Sequence, residues 1–339
     1  MIQNSEIILH QNIRDNLKNE AKPFVKWAGG KSQLLDELAE RLPINIKTSR
    51  TIEKYVEPFV GGGAFFFFLK NNYKVKEAFL YDINKELIIG YKVIQKDVKE
   101  LICRLKDIER EYLDLNEADR KDYYYKVRDM YNKQQDNFDY NTYNNEWIER
   151  AAYLIFLNKT CFNGLFRQNK SGKFNVPFGR YKNPTICDEK NLLSVNEALE
   201  DTYVFAGDFE ESRKVVTANA LVYLDPPYRP LNKTSYFTSY DKSGFTDEDQ
   251  IRLANYYKEM DKKGAFLILS NSDPKNANIN DNFFETLYAG YKIERVLAKR
   301  SINCDGAKRN SISELIIRNY EWHQIIASLR RIGKDKLKN

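Results

Sequence analysis

The sequence predicts an α/β protein built on one doubly wound sheet, and two observations support this prediction. Residues 54–68 combine an apolar segment, a glycine-rich turn and a second apolar run, and a short buried strand at 77–81 then ends at Asp82. Strand, loop, helix, strand and acid, in this order, are the opening of a doubly wound fold. Strand-like segments return late in the chain, at residues 203–206, 220–224, 265–269, 291–296 and 314–317.

A helical insertion separates these two groups of strands. Residues 98–148 are rich in Lys, Asp, Glu, Tyr and Asn and contain no Gly or Pro, which predicts amphipathic helices separated by polar turns. Residues 149–158 read as a more apolar helix, and the Gly- and Pro-containing segment 161–184 reads as a loop with a hairpin. The predicted organisation is a polar leader at 1–22, a sheet domain formed by 23–94 and 191–320, a helical and hairpin insertion at 95–190, and a basic tail at 321–339.

Composition disfavours several classes of protein. The 339 residues are 42% hydrophobic and 30% charged, as in a globular protein, and the net charge of +6 permits a nucleic-acid partner without establishing one. The four cysteines form no CxxC pair, which disfavours a zinc ribbon and predicts reduced thiols in a cytoplasmic protein. The two histidines lie near the ends of the chain, so we expect no metal site. Because the apolar runs are short, we expect neither a membrane span nor a secretory signal.

The first chemical signal is a run of three glycines, Gly61, Gly62 and Gly63, directly after a predicted strand. Glycine permits backbone conformations closed to other residues and removes side chains where a ligand must approach. Asp82 follows about 20 residues later at a strand end, the spacing at which Rossmann-like sites place an acid on ribose hydroxyls. The loop lacks both the GxGxxG pattern and basic residues, which disfavours a dinucleotide and favours S-adenosylmethionine, an adenosine ligand without phosphate. A tight turn with no ligand is the alternative.

The second signal is the string Asp225-Pro226-Pro227-Tyr228, which follows four apolar residues. Neither proline can donate to a strand ladder, so the strand ends and leaves Asp225 at its carboxyl end, where open α/β sheets bind ligands. A carboxylate and a backbone carbonyl there can accept the two N–H bonds of an exocyclic amine and draw its nitrogen towards a tetrahedral shape. The freed lone pair can then attack an activated methyl group. The ring of Tyr228 would stack on the base.

The third signal, at residues 23–32, contains Gly-Lys-Ser and therefore invites a P-loop interpretation. A P-loop requires glycine five positions before its final glycine, and Val25 occupies that position. ATP hydrolysis is therefore disfavoured. The alternative is that Trp27 offers a stacking face to a bound ligand and that Lys31 donates to the polar end of that ligand.

The fourth signal is a charge pattern, because residues 150–187 contain no Asp or Glu. The basic residues of this segment are Arg150, Lys159, Arg167, Lys170, Lys173, Arg180 and Lys182, and the aromatic residues among them are Phe162, Phe166, Phe174, Phe178 and Tyr181. Basic and aromatic residues in a glycine-containing hairpin are typical of nucleic-acid recognition. Arg167 could read guanine O6 and N7 in a bidentate fashion. A solvated basic loop is the alternative.

Together these residues resemble the DNA adenine-N6 methyltransferases of the Dam family, the type in which Asp-Pro-Pro-Tyr lies late in the chain. The segments that carry the resemblance are PFVKWAGGK, EPFVGGGAFFF, YDIN, LNKTCFNGLFRQNKSGKFNVPFGRYK, AGDF, DPPY and the late RSI and SELI segments. The resemblance covers residues 23–318 and is most specific at 157–182. It implies a Rossmann-like S-adenosylmethionine-dependent methyltransferase domain with an inserted helical bundle and β-hairpin for target recognition in double-stranded DNA. Many members of the family methylate the adenine in GATC.

The resemblance also implies roles for individual residues. By this resemblance, S-adenosylmethionine would be contacted by Trp27, Lys31, Asp82 and Asp225. Its pocket would be shaped by Glu57, Gly61, Gly62 and Gly63. The adenine of the cofactor would be flanked by Asp208 and Phe209. The flipped target adenine would be held by Asp225, Pro226, Pro227 and Tyr228. On the DNA, Lys26 would contact a guanine, and Arg167 and Pro177 would contact further base edges. Phe162 would insert into the duplex as a wedge. The DNA backbone or neighbouring bases would be contacted by Asn163, Arg180 and Tyr181.

The sequence departs from the family at one position, and four other functions are weighed against adenine-N6 methylation. Near members of the family carry Tyr at the position of Phe162, so the wedge keeps its stacking and loses a hydroxyl contact. Cytosine N4 or RNA adenine would use a similar motif, and the duplex-reading hairpin disfavours both. Cytosine C5 chemistry needs a thiolate, and neither Cys161 nor Cys187 follows a proline at a strand end. An inactive DNA-binding protein would show damage at Asp225 or at the glycines, which are intact. A cognate restriction endonuclease as partner stays open.

Overall fold

The computed structural model describes residues 20–229, 245–298 and 312–321. The predicted leader before residue 20, the basic tail beyond residue 321 and the RSI segment lie outside the described residues. The described strands are β1 Thr51–Ile52, β2 Tyr55–Glu57, β3 Lys74–Val75, β4 Ala78–Asp82, β5 Thr202–Ala206, β6 Leu221–Leu224, β7 Phe266–Ser272, β8 Lys292–Ala298 and β9 Ile312–Arg318.

Seven of these strands form one sheet in the order β5-β4-β2-β6-β7-β9-β8. The first five run parallel, whereas β9 lies antiparallel between β7 and β8. The chain moves outward from β2 to β4 and β5 on one side and from β6 to β7 on the other, so the strand order reverses between β2 and β6. In open α/β sheets, ligands bind beyond the carboxyl ends of the strands at this reversal. The predicted α/β class with a mostly parallel sheet is confirmed.

Nine α-helices connect the strands within the described part of the chain. They are α1 Leu35–Glu40, α2 Ile44–Ser49, α3 Ala64–Asn72, α4 Lys85–Leu113, α5 Glu117–Gln134, α6 Glu146–Thr160, α7 Glu189–Ala198, α8 Asp247–Lys262 and α9 Phe283–Leu287. Helix α3 connects β2 to the β3–β4 segment, and four helices, α4 to α7, lie between β4 and β5 in the sequence. The segment between α6 and α7 carries a short 3-10 turn at Phe162–Gly164 and two isolated bridges, Cys161 to Phe178 and Gln168 to Phe174.

Alternate side chains of the central strands enter two separate hydrophobic clusters. Tyr55 of β2 and Tyr223 of β6 belong to a cluster shared with α3 to α7, whereas Val56 and Val222 belong to one shared with α8. Successive residues of a strand point to opposite faces, so the sheet is covered by helices on both sides. This burial on both faces explains why β6, with the sequence LVYL, has no charged residue.

Helix α4 runs from the sheet into the helical segment that follows. Its first turn is capped by Asn84, whose side chain accepts hydrogen bonds from the amides of Glu86 and Leu87. The helix is interrupted at Asp97, whose φ of −134° and ψ of 45° are not helical, and the hydroxyl of Tyr143 donates to the carboxylate of Asp97. This interruption lies close to residue 95, where the sequence predicts that the insertion begins.

A buried ion pair ties α4 to α6. The guanidinium of Arg150 donates to Glu86 through Nε at 2.7 Å, and its side chain is only 1% exposed. Tyr140 donates to the same carboxylate, and the rings of Tyr131 and Phe138 lie 4.4 and 4.7 Å from the guanidinium carbon. Each of the two ions has several hydrogen bonds, and these offset the free-energy cost of removing both ions from water. The prediction that groups Arg150 with the cations that face a nucleic acid is therefore wrong, because the side chain of Arg150 is buried in the core.

Two negative findings apply to the described ranges alone. None of the helices within 20–229, 245–298 and 312–321 combines the length and the apolar character that crossing a bilayer requires. The same residues contain no group of three or more His, Cys, Asp or Glu side chains placed to hold a metal ion. Of the cysteines described, Cys161 is buried, Cys187 is half-buried and Cys103 is exposed, and all are free thiols.

Loss of the buried pair should destabilise the fold strongly. Arg150→Ala leaves the carboxylate of Glu86 buried without its cation, so we expect the free energy of unfolding in urea to fall by about 3–5 kcal/mol. Arg104→Ala is the matched control, because Arg104 and Glu149 join the same two helices with both side chains 31% exposed. Both members of this half-buried pair remain in contact with water, so its loss should cost less than the loss of the buried pair. If Arg150→Ala and Arg104→Ala lower the free energy of unfolding equally, the buried pair is not the stronger contribution to stability.

Candidate active site

The site lies beyond the carboxyl ends of β2, β4 and β6, on both sides of the point where the strand order reverses. The loop that follows β2 turns sharply, with Gly61 at a φ of 48° and Gly63 at 72°. A Cβ atom on Gly63 would lie 2.5 Å from the hydroxyl of Tyr91, and one on Gly61 would lie 3.1 Å from Cδ1 of Trp27. The glycines are thus required by conformation and by space, and the loop is packed against Trp27.

Asp82, at the end of β4, joins two loops of this edge. One carboxylate oxygen accepts the amide of Gly61 at 2.9 Å, and the other accepts the amide of Asn84 at 2.8 Å. The hydroxyl of Tyr91 donates to the carbonyl of Gly61 at 3.0 Å. The acid for which the sequence predicts a contact to ribose hydroxyls therefore fixes the glycine loop and the start of α4.

Asp225 follows β6 directly and is the centre of a polar cluster. Its Oδ1 atom lies 2.9 Å from the ammonium of Lys31 and accepts a hydrogen bond from the hydroxyl of Ser270 at 3.0 Å. Lys31 also donates to the carbonyl of Gly29 at 2.7 Å, and its ammonium lies 4.3 Å from the ring centroid of Tyr228. Burial raises the pKa of the Asp225 carboxyl above its ordinary value, while Lys31 and Ser270 act in the opposite direction.

Tyr228 is fixed by its hydroxyl, which donates to the carboxylate of Glu314 on β9. Burial, with Asp225 and Glu314 nearby, raises the pKa of Tyr228 far above its ordinary value, so the phenol stays protonated. The next residue, Arg229, donates to Asp247 at 2.7 Å and to Asp281 at 2.8 Å. The end of the Asp-Pro-Pro-Tyr string is thereby anchored to the start of α8 and to the segment before α9.

Glu57, the last residue of β2, is a buried carboxyl, 2% exposed. It accepts a hydrogen bond from the hydroxyl of Tyr55 at 2.8 Å. Burial raises its pKa well above the ordinary range, and the nearby charges of Asp225 and Asp82 raise it further, whereas the hydrogen bond from Tyr55 lowers it. Three carboxyl groups thus meet at one edge of the sheet.

Asp208 and Phe209 begin the 3-10 helix that follows β5, Phe209–Lys214. The carboxylate of Asp208 accepts the amide of Glu210 at 3.0 Å and the guanidinium of Arg252 at 2.8 Å. The ring of Phe209 is buried and stacks on Phe59 with centroids 5.3 Å apart. These two aromatic rings form an apolar wall next to the loop that follows β2.

The predicted DNA-binding residues form a second cluster, on the segment between α6 and α7. The ammonium of Lys26 donates to the carbonyl of Asn163 at 2.7 Å, and the side chain of Asn158 bonds to the backbone of both Lys26 and Gly164. The guanidinium of Arg167 donates to Asn175 through Nε at 2.8 Å. The N-terminal motif and the hairpin segment are therefore one packed unit.

The aromatic residues of the acid-free segment divide into two groups. Phe162 and Tyr181 are 53% and 40% exposed, and Pro177 and Arg180 are also exposed. In contrast, Phe166, Phe174 and Phe178 are buried. Phe166 stacks on Trp27 with centroids 4.9 Å apart, so it supports the N-terminal motif from below instead of offering a ring to a nucleic acid.

Three residues of the site were missed by sequence reasoning alone. They are Ser270 and Glu314, which contact Asp225 and Tyr228, and Asn158, which joins the N-terminal motif to the hairpin segment. A signal was present for Ser270, because β7 is an apolar strand that ends in Ser270, Asn271 and Ser272, all of them buried. Buried polar residues at a strand end indicate a hydrogen-bonded site.

An open α/β sheet with a glycine loop and an acid-prolyl strand end in one crevice is typical of enzymes that transfer a methyl group to an amine. The family comparison agrees, since the model for the D12 class N6 adenine-specific DNA methyltransferases matches residues 27–302. The chain belongs to this family, and it is a DNA methyltransferase specific for adenine N6.

Individual relatives point the same way. The chain is 51% identical to the Type II methyltransferase M.MjaIII of Methanocaldococcus jannaschii, with 89% of this chain and 100% of the relative covered. It is 37% identical to the Type II methyltransferase M1.LlaDCHI of Lactococcus lactis, over 91% of this chain and 99% of the relative. It is 33% identical to the DNA adenine methylase of Escherichia coli K12, over 88% and 95%.

The raised pKa of Glu57 predicts a pH-dependent stability. The folded protein holds this proton more tightly than the unfolded chain does, so the stabilisation is present below the ordinary Glu pKa of about 4.3 and is lost as pH rises. We expect Glu57→Gln to unfold at higher urea than the wild type at pH 8 and at similar urea near pH 4. Glu53→Gln, at a 66% exposed side chain, is the control and should show no such divergence. A difference between Glu57→Gln and wild type that is the same at every pH would refute this.

Proposed function

We propose that the chain methylates adenine in duplex DNA with S-adenosylmethionine as donor, at a specific site, with the target base turned out of the helix. The observation that carries the proposal is the position of Asp225. Its half-buried carboxylate follows the strand at the reversal of the sheet, and Lys31 contacts both this carboxylate and the ring face of Tyr228. We propose that an amine and a methyl donor meet there.

The glycine loop fits S-adenosylmethionine. The loop carries no cation that a phosphate would require, and its glycines, packed against Trp27 and Tyr91, offer a ligand backbone without side chains. Asp82 supplies carboxylate oxygens for ribose hydroxyls, and Phe59 and Phe209 supply an apolar wall for a purine. When bound, S-adenosylmethionine supplies a methyl group activated by a positively charged sulfur.

The strand end fits an exocyclic amine. Asp225 would accept one N–H, and a prolyl carbonyl would accept the other. The carbonyl of Pro227 already accepts from Gln250 at 3.4 Å, and no donor among the described residues contacts the carbonyl of Pro226, which makes Pro226 the candidate. Tyr228, held by Glu314, presents its ring as a stacking face for the base.

The DNA-reading assignment rests on exposure and charge. Arg167, Lys170, Lys173, Arg180 and Lys182 are all exposed on a segment without acids, next to the exposed ring of Phe162. We propose that the segment 95–190 as a whole serves target recognition, with Lys26, Asn163, Pro177 and Tyr181 at the DNA. The GATC site rests on the resemblance of residues 157–182. The Type II names of two relatives favour a restriction–modification partner.

Removal of the catalytic carboxylate should stop the chemistry without unfolding the protein. We expect Asp225→Asn to reduce methyl transfer from tritiated S-adenosylmethionine to duplex DNA by about 10²–10⁴-fold, because the amine loses its charged acceptor. Circular dichroism should show an unchanged fold. Asp36→Asn, at an exposed position on α1, is the control and should retain activity. Substantial activity in Asp225→Asn would sink the proposal.

Arg167 should affect the choice of site more than overall affinity. We expect Arg167→Ala to lower discrimination between the preferred site and sites with one changed base pair by about 1–3 kcal/mol. Lys173→Ala, on the same exposed segment, should weaken binding equally for all duplexes and reduce its dependence on salt. The measurement is kcat/KM on a panel of duplexes. If Arg167→Ala behaves like Lys173→Ala across that panel, Arg167 does not read bases.

A further inference from the structure

The polar contacts behind Asp225 have a role that the proposed function does not assign. Resting on that function, we propose that Ser270 is a positioning residue, supported by Tyr223, which holds Oδ1 of Asp225 so that Oδ2 is the oxygen that accepts the target amine. The two residues lie on neighbouring parallel strands, Tyr223 on β6 and Ser270 on β7.

The hydrogen bonds form a directed chain. Ser270 donates to Oδ1 of Asp225 at 3.0 Å, and the oxygens of Tyr223 and Ser270 are 2.9 Å apart. A serine hydroxyl has one proton, and an ionised carboxylate can only accept, so Ser270 gives its proton to Asp225 and accepts one from Tyr223. Tyr223 is 1% exposed and Ser270 0%, so water does not compete for these groups.

The two oxygens of Asp225 are not equivalent. Oδ1 receives both Ser270 and the ammonium of Lys31. Oδ2 has no hydrogen-bond partner within the part of the chain that the structure describes. A carboxylate fixed at one oxygen by two donors has a fixed plane, and the second oxygen is then set in direction for an incoming N–H. Such fixed acceptors matter because small misplacements at a reacting centre cost large factors in rate.

A purely structural role for the Ser270–Tyr223 pair is the competing explanation. The fold contains a comparable pair, since the oxygens of Ser212 and Tyr256 are 2.6 Å apart and both side chains are buried. Ser212 donates to the carbonyl of Phe209, so that pair ends on backbone. The Ser270–Tyr223 pair ends on the carboxylate instead. Comparing a variant of Ser270 with a variant of Ser212 therefore separates the loss of stability caused by removing a buried hydroxyl from any effect on Asp225.

The charged surroundings give the test its direction. Within the described residues, the titratable groups that face Asp225 come from four elements of the fold and the segment after β6. They are Lys31 from the N-terminal segment, Tyr55 and Glu57 from β2, Tyr223 from β6, Tyr228 from the segment after β6, and Glu314 from β9. Burial raises the pKa of Asp225, and Ser270 opposes that rise together with Lys31. Loss of the Ser270 hydroxyl should therefore make the carboxylate harder to ionise, and the acid side of the rate profile should move to higher pH.

The experiment measures single-turnover methyl transfer to duplex DNA, with S-adenosylmethionine, as a function of pH. We expect Ser270→Ala to lower the rate on the plateau by about 10-fold to 100-fold and to move the acid limb to higher pH, with little change in the Kd for S-adenosylmethionine. Tyr223→Phe should have a smaller effect of the same kind. The double variant should match Ser270→Ala, because both changes act through one hydroxyl.

Ser212→Ala is the matched control and should lose thermal stability without moving the acid limb. An acid limb in Ser270→Ala that coincides with wild type, at a lower plateau, would overturn the positioning role and leave a structural one. Additive effects of Ser270→Ala and Tyr223→Phe would overturn the chain of donors. Wild-type protein that transfers no methyl group to any duplex would contradict the proposed function itself, which keeps the two failures distinct.

Discussion

The architecture of this site depends on one buried carboxylate. Asp225 is 16% exposed at the end of a fully buried strand, and burial alone would push it towards the neutral form. Lys31 and Ser270 oppose that tendency from two directions, one from the N-terminal segment and one from the neighbouring strand. The fold therefore has to bring three distant parts of the sequence to one atom, and the sheet order does this by placing β6 beside β7 and beside the glycine loop.

The N-terminal segment connects the proposed recognition segment to the proposed catalytic site. Lys26 is held at its backbone and ammonium by Asn158 and Asn163, which belong to the end of α6 and the turn after it. A few residues later, Lys31 lies on Asp225. Between them, Trp27 stacks on Phe166 and packs against Gly61. A shift of the hairpin segment would therefore reach both the proposed cofactor loop and the proposed catalytic acid, Asp225, through a short, packed stretch of chain.

Local signals in the sequence predicted much of the fold and of the site. Each strand end follows from an apolar run that stops at an acid, Asp82 in one case and Asp225, with two prolines after it, in the other. The structure places both acids at the same edge of the sheet. Pairing is not local, so the antiparallel position of β9 was not predicted. The same reason explains why the sequence wrongly grouped Arg150 with the exposed cations. Its partner Glu86 is 64 residues away, and no local pattern in the sequence predicts this pairing. The roles given to Lys26, Arg167 and Phe209 stay predictions.

The burial of Arg150 also limits which cations can act at the proposed DNA-facing surface. A cation neutralised inside the core contributes little to the field outside, so the acid-free segment acts through its exposed members, which begin at Arg167. The same segment carries Phe162, whose ring is 53% exposed although hydrophobic, and Asn163, whose φ of 59° lies in the left-handed region. An exposed aromatic ring on a strained turn held by Lys26 is costly for a folded protein in water. The proposed role of Phe162 as a wedge in the duplex accounts for this cost, because a ring that is held rigidly before binding loses less entropy on binding.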